Sequence, residues 1–492
     1  MHPKTTKSLA SSIARSLVLL PLLGLLTVLL PAGAPAEASP AGVTERISVD
    51  SQGGQVDGAS FAPTISGDGR YVAFTSSATN LVPGDANGLT DVFRRDLITG
   101  ESLRVSENSV GAGGDASAFA SDVSDDGQFV VFESRATNLL ASAFTSTLFG
   151  IFLGRSLNEP DEGKINIISV NSEGVPANDD STCPQAAENA DGRVVAFYSD
   201  ATNLLDDVGP GIYVKNLKTG EAWHINDRPD SCDLKLSADG RWLAYSKDGK
   251  VFRWDLETGE VTETPGSPGG QGGRAGVAGV EPDGASFEPA ISGDGRYVAF
   301  RSFATNLVPG DTNGSSDVFV HDRDTGETTR VSVSSEGVEG NDRSTSPAIS
   351  GDGRFVSFSS SATNLVPGDT NGDQDIFVHD RQTGETTRVS VSSDGGQSDD
   401  DSFDSAISAN GLVVSFWSNA TNLVPGDTNG VGDVFIHGLL PEGVEATWGD
   451  NNCSGAAGPV DSLLTLRFDA GLAVSQAQGC PGIGTTVTIF DG

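Results

Sequence analysis

Hydrophobic and polar residues follow one short pattern that returns along most of the chain. In the clearest copy, a short apolar run at residues 347–350 leads through an Asp-Gly turn into residues 355–359, which are rich in aromatic and β-branched residues. A long polar loop then leads to residues 375–379, and a Thr-Gly-Glu turn leads to residues 387–391. Asp-Gly is a strong hairpin signal, and short runs of this kind are typical of strands. Each copy therefore predicts four consecutive antiparallel strands.

The glycine of the first turn marks seven copies of this unit. It recurs at Gly69, Gly127, Gly192, Gly240, Gly295, Gly353 and Gly411. Four-stranded units in tandem are typical of propeller blades, because a single blade cannot bury both faces of its sheet. No stretch within the copies has helical periodicity. We expect an all-β, seven-bladed β-propeller over residues 44–440.

The two ends of the repeat region predict how the ring closes. The last copy has its third strand at residues 433–437 but no fourth strand of the Thr-Thr-Arg-Val-Ser type. A matching strand, Glu-Arg-Ile-Ser-Val, stands at residues 45–49. We expect this N-terminal strand to complete the seventh blade and cover an exposed edge. The fourth copy replaces its long loop with a tight turn at residues 247–249, and the glycine-rich residues 266–279 are interpreted as an enlarged loop between blades four and five.

Two recurring sequences carry a resemblance to a known family. They are Ser-x-Asp-Gly-Arg-Tyr-Val-Ala-Phe and Asp-Val-Phe-Val-His-Asp-Arg-x-Thr-Gly-Glu, and together they cover nearly all of residues 44–440. The chain resembles the TolB-type, WD-repeat-like bacterial propellers. The resemblance implies the propeller fold and the binding of a protein or other ligand on one face of the disc. Propellers have many roles, so the resemblance names no particular ligand.

The N-terminus and the net charge predict where the protein acts. Lys4, Lys7 and Arg15 precede an apolar run at residues 17–30, and small-x-small cleavage candidates follow at residues 34–38. This order is typical of a signal peptide, here residues 1–38, and predicts a secreted or cell-surface bacterial protein without a transmembrane helix in the mature chain. A retained N-terminal anchor is the alternative. The net charge of -37 excludes a nucleic-acid partner, since phosphates need basic neutralisation. We expect a monomer.

Four of the long loops carry acids and amides at a fixed spacing. In blade one, residues 85–91 read Asp-Ala-Asn-Gly-Leu-Thr-Asp. The pattern gives these candidate ligands: Asp85, Asn87, Asp91, Asp311, Asn313, Asp317, Asp369, Asn371, Asp375, Asp427, Asn429 and Asp433. Carboxylate and amide oxygens are the ligands that Ca²⁺ prefers, and glycine allows the sharp turn between them. We predict calcium sites in these loops; the alternative is an Asx-Gly turn without a metal.

The loops that enter the first strands pair an acid with a hydroxyl group. The candidate ligand-binding residues are Asp57, Asp115, Asp283, Asp342 and Asp400. In a propeller such loops surround one end of the central channel, which we interpret as the binding face. Polar loops without a ligand are the alternative. The asparagine of the Ala-Thr-Asn-Leu element that follows the second strand in six of the seven blades, as at Asn80, is interpreted as structural.

The histidines and the known catalytic motifs give little support for an enzyme. His321, His379 and His437 occupy one position of the repeat, which indicates a structural role. The sequence has no nucleophile elbow, no HExxH motif and no phosphate-binding loop. A pair of carboxylates such as glycoside hydrolases use is the alternative among so many acids.

The C-terminal segment, residues 445–492, departs from the repeat. Residues 450–461 fit a twelve-residue calcium loop with a glycine at position six, and apolar residues four apart predict a helix after it. The ligands would be Asp450, Asn452, Ser454, the carbonyl of Ala456, and Asp461. The segment resembles the dockerin module, which implies calcium and a cohesin-like protein partner. Dockerins carry two such loops, and this segment contains one.

The four cysteines predict two disulfides in an exported protein. Cys183 and Cys232 lie shortly before the turn glycines of adjacent blades, so both enter first strands at nearly the same height. Cys453 occupies a position of the calcium loop that supplies no ligand, and Cys480 lies beyond the predicted helix. We predict the pairs Cys183–Cys232 and Cys453–Cys480.

These observations favour a secreted, non-catalytic binding or scaffold propeller. It would recognise a protein or a glycan and dock through its calcium-dependent C-terminal segment. The alternative is an extracellular glycoside hydrolase that acts on polysaccharide and is carried by the same segment.

Overall fold

The computed structural model describes residues 42–140, 148–155, 165–189, 192–230, 232–264 and 281–439. Over these residues the chain forms 28 strands in seven four-stranded antiparallel sheets, and they contain no α-helix. The predicted seven-bladed, all-β propeller is confirmed. The glycine-rich stretch 266–279, the C-terminal calcium loop with its helix, and the Cys453–Cys480 pair lie outside the described residues.

The strands run in chain order, with the first strand of each blade innermost. The first strand of the chain and blades 1 to 3 are β1 (Thr44–Arg46), β2 (Ser60–Ile65), β3 (Tyr71–Ser76), β4 (Asp91–Asp96), β5 (Ser102–Arg104), β6 (Ala118–Val123), β7 (Phe129–Ser134), β8 (Gly150–Arg155), β9 (Ile165–Ile167), β10 (Ser181–Asn189), β11 (Gly192–Ser199), β12 (Gly211–Asn216) and β13 (Ala222–Ile225). Blades 4 to 7 are β14 (Leu234–Leu236), β15 (Trp242–Lys247), β16 (Lys250–Asp255), β17 (Val261–Thr264), β18 (Ser286–Ile291), β19 (Tyr297–Ser302), β20 (Asp317–Asp322), β21 (Glu327–Arg330), β22 (Ser344–Ile349), β23 (Phe355–Ser360), β24 (Asp375–Asp380), β25 (Thr386–Arg388), β26 (Ser402–Ile407), β27 (Val413–Ser418) and β28 (Asp433–Gly438).

The N-terminal strand closes the ring as predicted. β1 pairs antiparallel with β28, and Thr44 stands opposite His437. The strand is shorter than the predicted one, but Ile47 and Val49 beyond its end are buried. The seventh sheet has the order β1-β28-β27-β26, so its outermost strand comes from the other end of the repeat region. The closure leaves no third strand exposed as an edge in blade 7.

The first strands contact one another around the ring, so they line the central channel. Each blade has a loop face, which carries the loops between strands two and three and between blades, and a turn face, which carries the two hairpin turns. On the turn face, neighbouring first turns join through backbone hydrogen bonds, as from Gly293 N to Gly351 O and from Gly351 N to Ala409 O, both 2.9 Å. First strands therefore begin at the loop face and end at this ring of turns.

The hydrophobic core lies between neighbouring blades. In one cluster, Val318 and Val320 of blade 5 pack with Val356 and Phe358 of blade 6, all fully buried. Because central strands are covered on both faces, sequences such as Tyr-Val-Ala-Phe read as continuous apolar runs rather than as an alternation. Burial on both faces also explains why these apolar runs identify the central strands of each blade in the sequence.

The predicted disulfide between Cys183 and Cys232 is present and joins the innermost parts of blades 3 and 4. Cys183 lies at a bulge in β10, where its φ is 60°, and Cys232 precedes β14. A disulfide is consistent with an oxidising compartment. Within the described part of the chain, no helix long and apolar enough to cross a bilayer occurs.

Candidate functional site

The structure brings together the carboxylates that the sequence predicts as calcium ligands. In blades 1, 5, 6 and 7, the aspartate of the long loop approaches the aspartate that begins the third strand. The asparagine between them presents its amide nitrogen to the second aspartate. In blade 1, Asn87 Nδ2 donates to Asp91 Oδ2 at 2.8 Å, and Asn313, Asn371 and Asn429 make the equivalent bond.

An arginine side chain lies between the two carboxylates in each of these four loops. It comes from the fourth strand of the same blade, and in blade 7 from β1. The distances from arginine Nη1 to the two aspartates are 2.9 and 3.8 Å for Arg104, 3.6 and 3.4 Å for Arg330, 3.0 and 3.0 Å for Arg388, and 3.3 and 3.3 Å for Arg46. A guanidinium therefore supplies positive charge between the two carboxylates of each loop, and calcium in these loops stays a prediction.

The sequence contained a signal for this arginine. The blades with the aspartate loop are the blades whose fourth strand carries arginine opposite the central phenylalanine of the third strand. Blade 3 has His224 at this position, and blade 4 has Glu263. Loop acids and strand arginine thus occur together, which is expected of an ion-paired structural unit.

Blade 5 differs from the other three in its charge. Glu339 joins Asp311 and Asp317, and oxygens of all three carboxylates lie within 4.8 Å of one another. Burial and the neighbouring Asp317 carboxylate raise the pKa of Asp311 to about 6. Burial also raises the pKa of Asp85, Asp369 and Asp427. The acidic group of blade 5 is the one in the described residues that offers three carboxylates to a metal ion.

The three repeated histidines have the structural role that their spacing predicts. His379 Nδ1 lies 2.8 Å from Thr386 Oγ1, and that hydroxyl donates to Val333 O of the preceding blade at 2.6 Å. His321 and His437 contact Thr328 and Thr44 in the same way. Burial lowers the pKa of all three histidines to about 4. They are neutral at physiological pH, and the threonines beside His379 and His437 donate to carbonyls of the preceding blade.

The five predicted ligand-binding aspartates occupy two kinds of position. Asp57 accepts hydrogen bonds from Thr79 N at 2.7 Å and Thr79 Oγ1 at 2.6 Å, and Asn80 Oδ1 accepts from Asp57 N. The Thr79 hydroxyl lowers the pKa of Asp57. Asp115 and Asp283 make the same bonds. These three aspartates hold the loop after the second strand.

Asp342 and Asp400 lie one residue beyond that position. In their blades Asn341 and Asp399 bond the threonine instead. Asp342 and Asp400 are exposed, and each carboxylate accepts the amide N–H of the next residue. The sequence prediction treated the five aspartates as equivalent. In the structure three of them bond the threonine of the loop after the second strand, and Asp342 and Asp400 do not.

A continuous set of charged and aromatic side chains lies on the inner strands of blades 5, 6 and 7. We call it the channel arc and define it as Glu288, Arg301, Phe303, Ser346, Phe403, Asp404 and Trp417. Arg301 Nη1 donates to Glu288 Oε1 at 2.8 Å, and Ser346 N donates to Glu288 Oε2 at 2.7 Å. Ser346 Oγ lies 3.5 Å from Asp404 Oδ1, and Trp417 Nε1 donates to Asp404 Oδ2 at 3.2 Å.

Aromatic rings stand at both ends of this network. Phe303 is 46% exposed, and the guanidinium of Arg301 lies 4.8 Å from its ring centroid. At the other end the rings of Phe403 and Trp417 stack 4.5 Å apart. Arg301 Nε is buried and has no hydrogen-bond partner among the described residues. The arc thus offers apolar ring faces and carboxylates on one surface, with the Arg301 guanidinium between them.

The backbone beneath the arc is strained. Glu288, Ser346 and Asp404 occupy the bulge of their first strands with φ values of 53°, 51° and 45°. Residues other than glycine seldom adopt this conformation, but Ala62 of blade 1 and Cys183 of blade 3 occupy the same bulge with φ values of 50° and 60°, so the bulge belongs to the repeat and the arc uses it to direct its side chains. The bulge amide of Glu288 donates in turn to Asp233 of blade 4 at 3.1 Å. Carboxylates of one blade therefore hold the bulge of the next.

Solved structures of other propellers share the fold. They include TolB from Acinetobacter baumannii (14% identity, TM-score 0.33, covering 71% of this chain and 76% of that one) and an oligogalacturonate lyase in complex with manganese (13%, 0.47, 81% and 93%). The β-propeller domain of the Trilobed protease from Pyrococcus furiosus is a third (13%, 0.39, 67% and 84%). No protein-family model and no curated protein matches the chain. These likenesses concern the fold alone.

Sequence reasoning missed the channel arc, although the repeat contained a signal. The third residue of the first strand is Ala62 in blade 1 but Glu288, Ser346 and Asp404 in blades 5 to 7, between positions that hardly change. The residue opposite the first-strand phenylalanine also varies, from Thr75 in blade 1 to Trp417 in blade 7. Variation within an otherwise repeated unit indicates positions that the fold does not fix.

Proposed function

We propose that the protein is a secreted, non-catalytic binding propeller that recognises a neutral glycan at the channel arc. The observation that carries the proposal is the arc itself, with partly exposed aromatic rings on both sides of a network of Arg301, Glu288 and Asp404. Sugar rings present apolar C–H faces and many hydroxyl groups. Aromatic faces suit the former, and carboxylates and guanidinium groups suit the latter.

The charge of the chain selects among glycans. With a net charge of -37, the protein repels polyanions such as acidic polysaccharides. Glu288 and Asp404 lie on the arc itself, so a hydroxyl-rich, uncharged ligand fits it best. Secretion, which the N-terminal sequence predicts, would place the arc where such polymers occur.

The bonding of the arc's carboxylates supports binding rather than hydrolysis. Glu288 is held by Arg301 and the Ser346 amide, and Asp404 is held by the Trp417 indole. A glycoside hydrolase needs one carboxyl that can donate a proton and a second that can act as nucleophile or base. Here both carboxylates hold neighbouring groups, which suits fixed hydrogen-bond acceptors.

The test is titration calorimetry of the protein against a panel of soluble neutral polysaccharides, with a reducing-end assay on the same samples. Trp417→Thr copies the residue at this register in blade 1, and Phe303→Ser copies Ser77 and Ser361, the residues after the second strand in blades 1 and 6. Each variant should weaken binding about tenfold, which corresponds to about 1.4 kcal/mol. The control, Trp223→Thr, changes a tryptophan on the outermost strand β13 and should leave binding unchanged.

Two results would contradict the proposal. One is binding that Trp417→Thr and Phe303→Ser leave unaltered, which would place the ligand elsewhere. The other is steady release of reducing ends, which would show a hydrolase instead. A panel without any binding would remove the neutral glycan as the ligand class.

A further inference from the structure

The acidic group of blade 5 carries more negative charge than its arginine can neutralise. Asp311, Asp317 and Glu339 have side chains 3%, 0% and 13% exposed, and Arg330, itself 9% exposed, is their basic partner. Three carboxylates and one guanidinium leave two formal negative charges in a largely buried place. Buried charge without compensation is costly.

Blade 6 provides an internal comparison. Gln397 occupies the position of Glu339: Thr370 N donates to Gln397 Oε1 at 3.0 Å, as Thr312 N donates to Glu339 Oε1 at 2.9 Å. Glu339 also forms an antiparallel bridge with Val333, and Gln397 forms the equivalent bridge with Val391, in each case just before the first strand of the next blade. At this position the two blades share a backbone arrangement and differ by one charged oxygen; blade 6 also has Ser398, whose hydroxyl donates to Asp375 Oδ1 at 2.8 Å, where blade 5 has Gly340.

The extra carboxylate draws the arginine away from the aspartates. Arg330 Nη1 lies 2.6 Å from Glu339 Oε1 but 3.6 and 3.4 Å from Asp311 and Asp317. In blade 6, Arg388 Nη1 lies 3.2 Å from Gln397 Oε1 and 3.0 Å from both aspartates. The aspartate pair of blade 5 is therefore less neutralised than that of blade 6.

An independent observation points to a missing partner. Asp311 Oδ1 is buried and has no hydrogen-bond partner among the described residues. Asp85 Oδ2 and Asp369 Oδ1 also have none, but arginine Nη1 approaches those two carboxylates to 2.9 and 3.0 Å, against 3.6 Å for Asp311. Blade 1 also has a third acid, Glu107, but its carboxylate meets Arg104 at Nε, 3.7 Å away, and does not join the two aspartates. Blade 5 therefore combines three converging carboxylates with an unsatisfied oxygen.

We propose that Asp311, Asp317 and Glu339 bind one divalent, oxygen-preferring cation of the Ca²⁺ type at the edge of blade 5. A 2+ ion together with Arg330 balances the three carboxylates. In blades 6 and 7, two aspartates and one arginine would acquire a net positive charge with the same ion. Carboxylates from two loops and one strand, completed by water, are a ligand set that Ca²⁺ accepts.

The test is calorimetry of the full-length, EDTA-stripped protein with CaCl₂, and in parallel with MgCl₂, combined with thermal unfolding. Glu339→Gln reproduces the side chain that blade 6 already accommodates. It should lose one bound Ca²⁺ per chain and the calcium-dependent rise in Tm, while its Tm in EDTA should equal or exceed that of the parent. Asp461→Ala, in the predicted C-terminal loop, should leave the Glu339-dependent ion in place.

Equal calcium stoichiometry and equal Tm shifts in the parent and Glu339→Gln would overturn the proposal. If Glu339→Gln does not fold, the reciprocal variant Gln397→Glu decides. It gives blade 6 the third carboxylate, so one additional Ca²⁺ per chain supports the site, and an unchanged stoichiometry refutes it.

Discussion

Replacing Gly353 by alanine tests how one blade is fitted to the next. Gly353 has a φ of +73°, and an added Cβ would stand 2.1 Å from Cδ2 of Tyr297 in the preceding blade. The tyrosine ring has little room to move, because the guanidinium groups of Arg296 and Arg381 lie 4.7 and 4.4 Å from its centroid. The left-handed backbone costs an alanine about 1–2 kcal/mol, and overpacking adds about 1–3 kcal/mol.

The expected loss is therefore about 2–5 kcal/mol, or about 2–6 °C in Tm for a propeller of this length. The matched control is Gly368→Ala in the same blade. Its φ is +77° but no atom lies within 4 Å of the added Cβ, so only the backbone cost of about 1–2 kcal/mol applies. Differential scanning calorimetry measures both variants. In a Tyr297→Ala background, the cost of Gly353→Ala should fall to that of the control. An equal fall in Tm for Gly353→Ala and Gly368→Ala would refute the packing argument.

Three further predictions concern closure, the disulfide and acid sensitivity. Deleting residues 44–50 should lower Tm and cause association through β28; a monomer in size-exclusion chromatography that melts like the parent would contradict ring closure. Cys232→Ser should destabilise the exported protein by about 4 kcal/mol, since the bond closes a separation of 49 residues; free thiols in the parent on alkylation would contradict the bond. Because burial lowers the pKa of His379 to about 4 from an unfolded value of 6.5, its stabilising effect is complete above pH 6.5 and is lost as the pH falls towards 4. His379→Asn should remove about 1.4 kcal/mol per pH unit of that dependence in denaturant titrations, and an unchanged slope would count against a neutral buried imidazole.

The fold could be predicted from the sequence because the turn glycines, the strand pattern and the cysteines recur at equivalent positions of the repeat. Four of the turn glycines, Gly127, Gly295, Gly353 and Gly411, lie under an aromatic ring of the preceding blade, so the close fit between blades restricts the position to glycine. The missing fourth strand of the last copy and the spare strand at residues 45–49 predicted the closure that β1 and β28 make. Cys183 and Cys232 could be paired because they lie at nearly the same distance before the turn glycines of adjacent blades.

The candidate sites were harder to predict because their partners are distant in sequence. The spacing of Asp375 and Asp369 suits a calcium loop, and only the fold shows that Arg388 reaches both. In blade 7 the arginine is Arg46, at the opposite end of the propeller region. The channel arc joins three blades through bonds such as that from Ser346 to Glu288, 58 residues apart. Local sequence patterns cannot show such contacts, although the variation at the third residue of the first strand indicated that this position is not fixed by the fold.

Hydrogen exchange with and without a bound neutral oligosaccharide locates the ligand on the propeller. If the ligand binds at the channel arc, exchange should slow where the inner strands of blades 5 to 7 begin, including the Ser346 amide, and Trp417→Thr should reduce this protection at ligand concentrations near the Kd of the parent. The turn face and blades 1 to 3 should be unaffected. Protection confined to the loops around Asp57 and Asp115, or to the turn face, would place the ligand away from the channel arc and refute the proposed site.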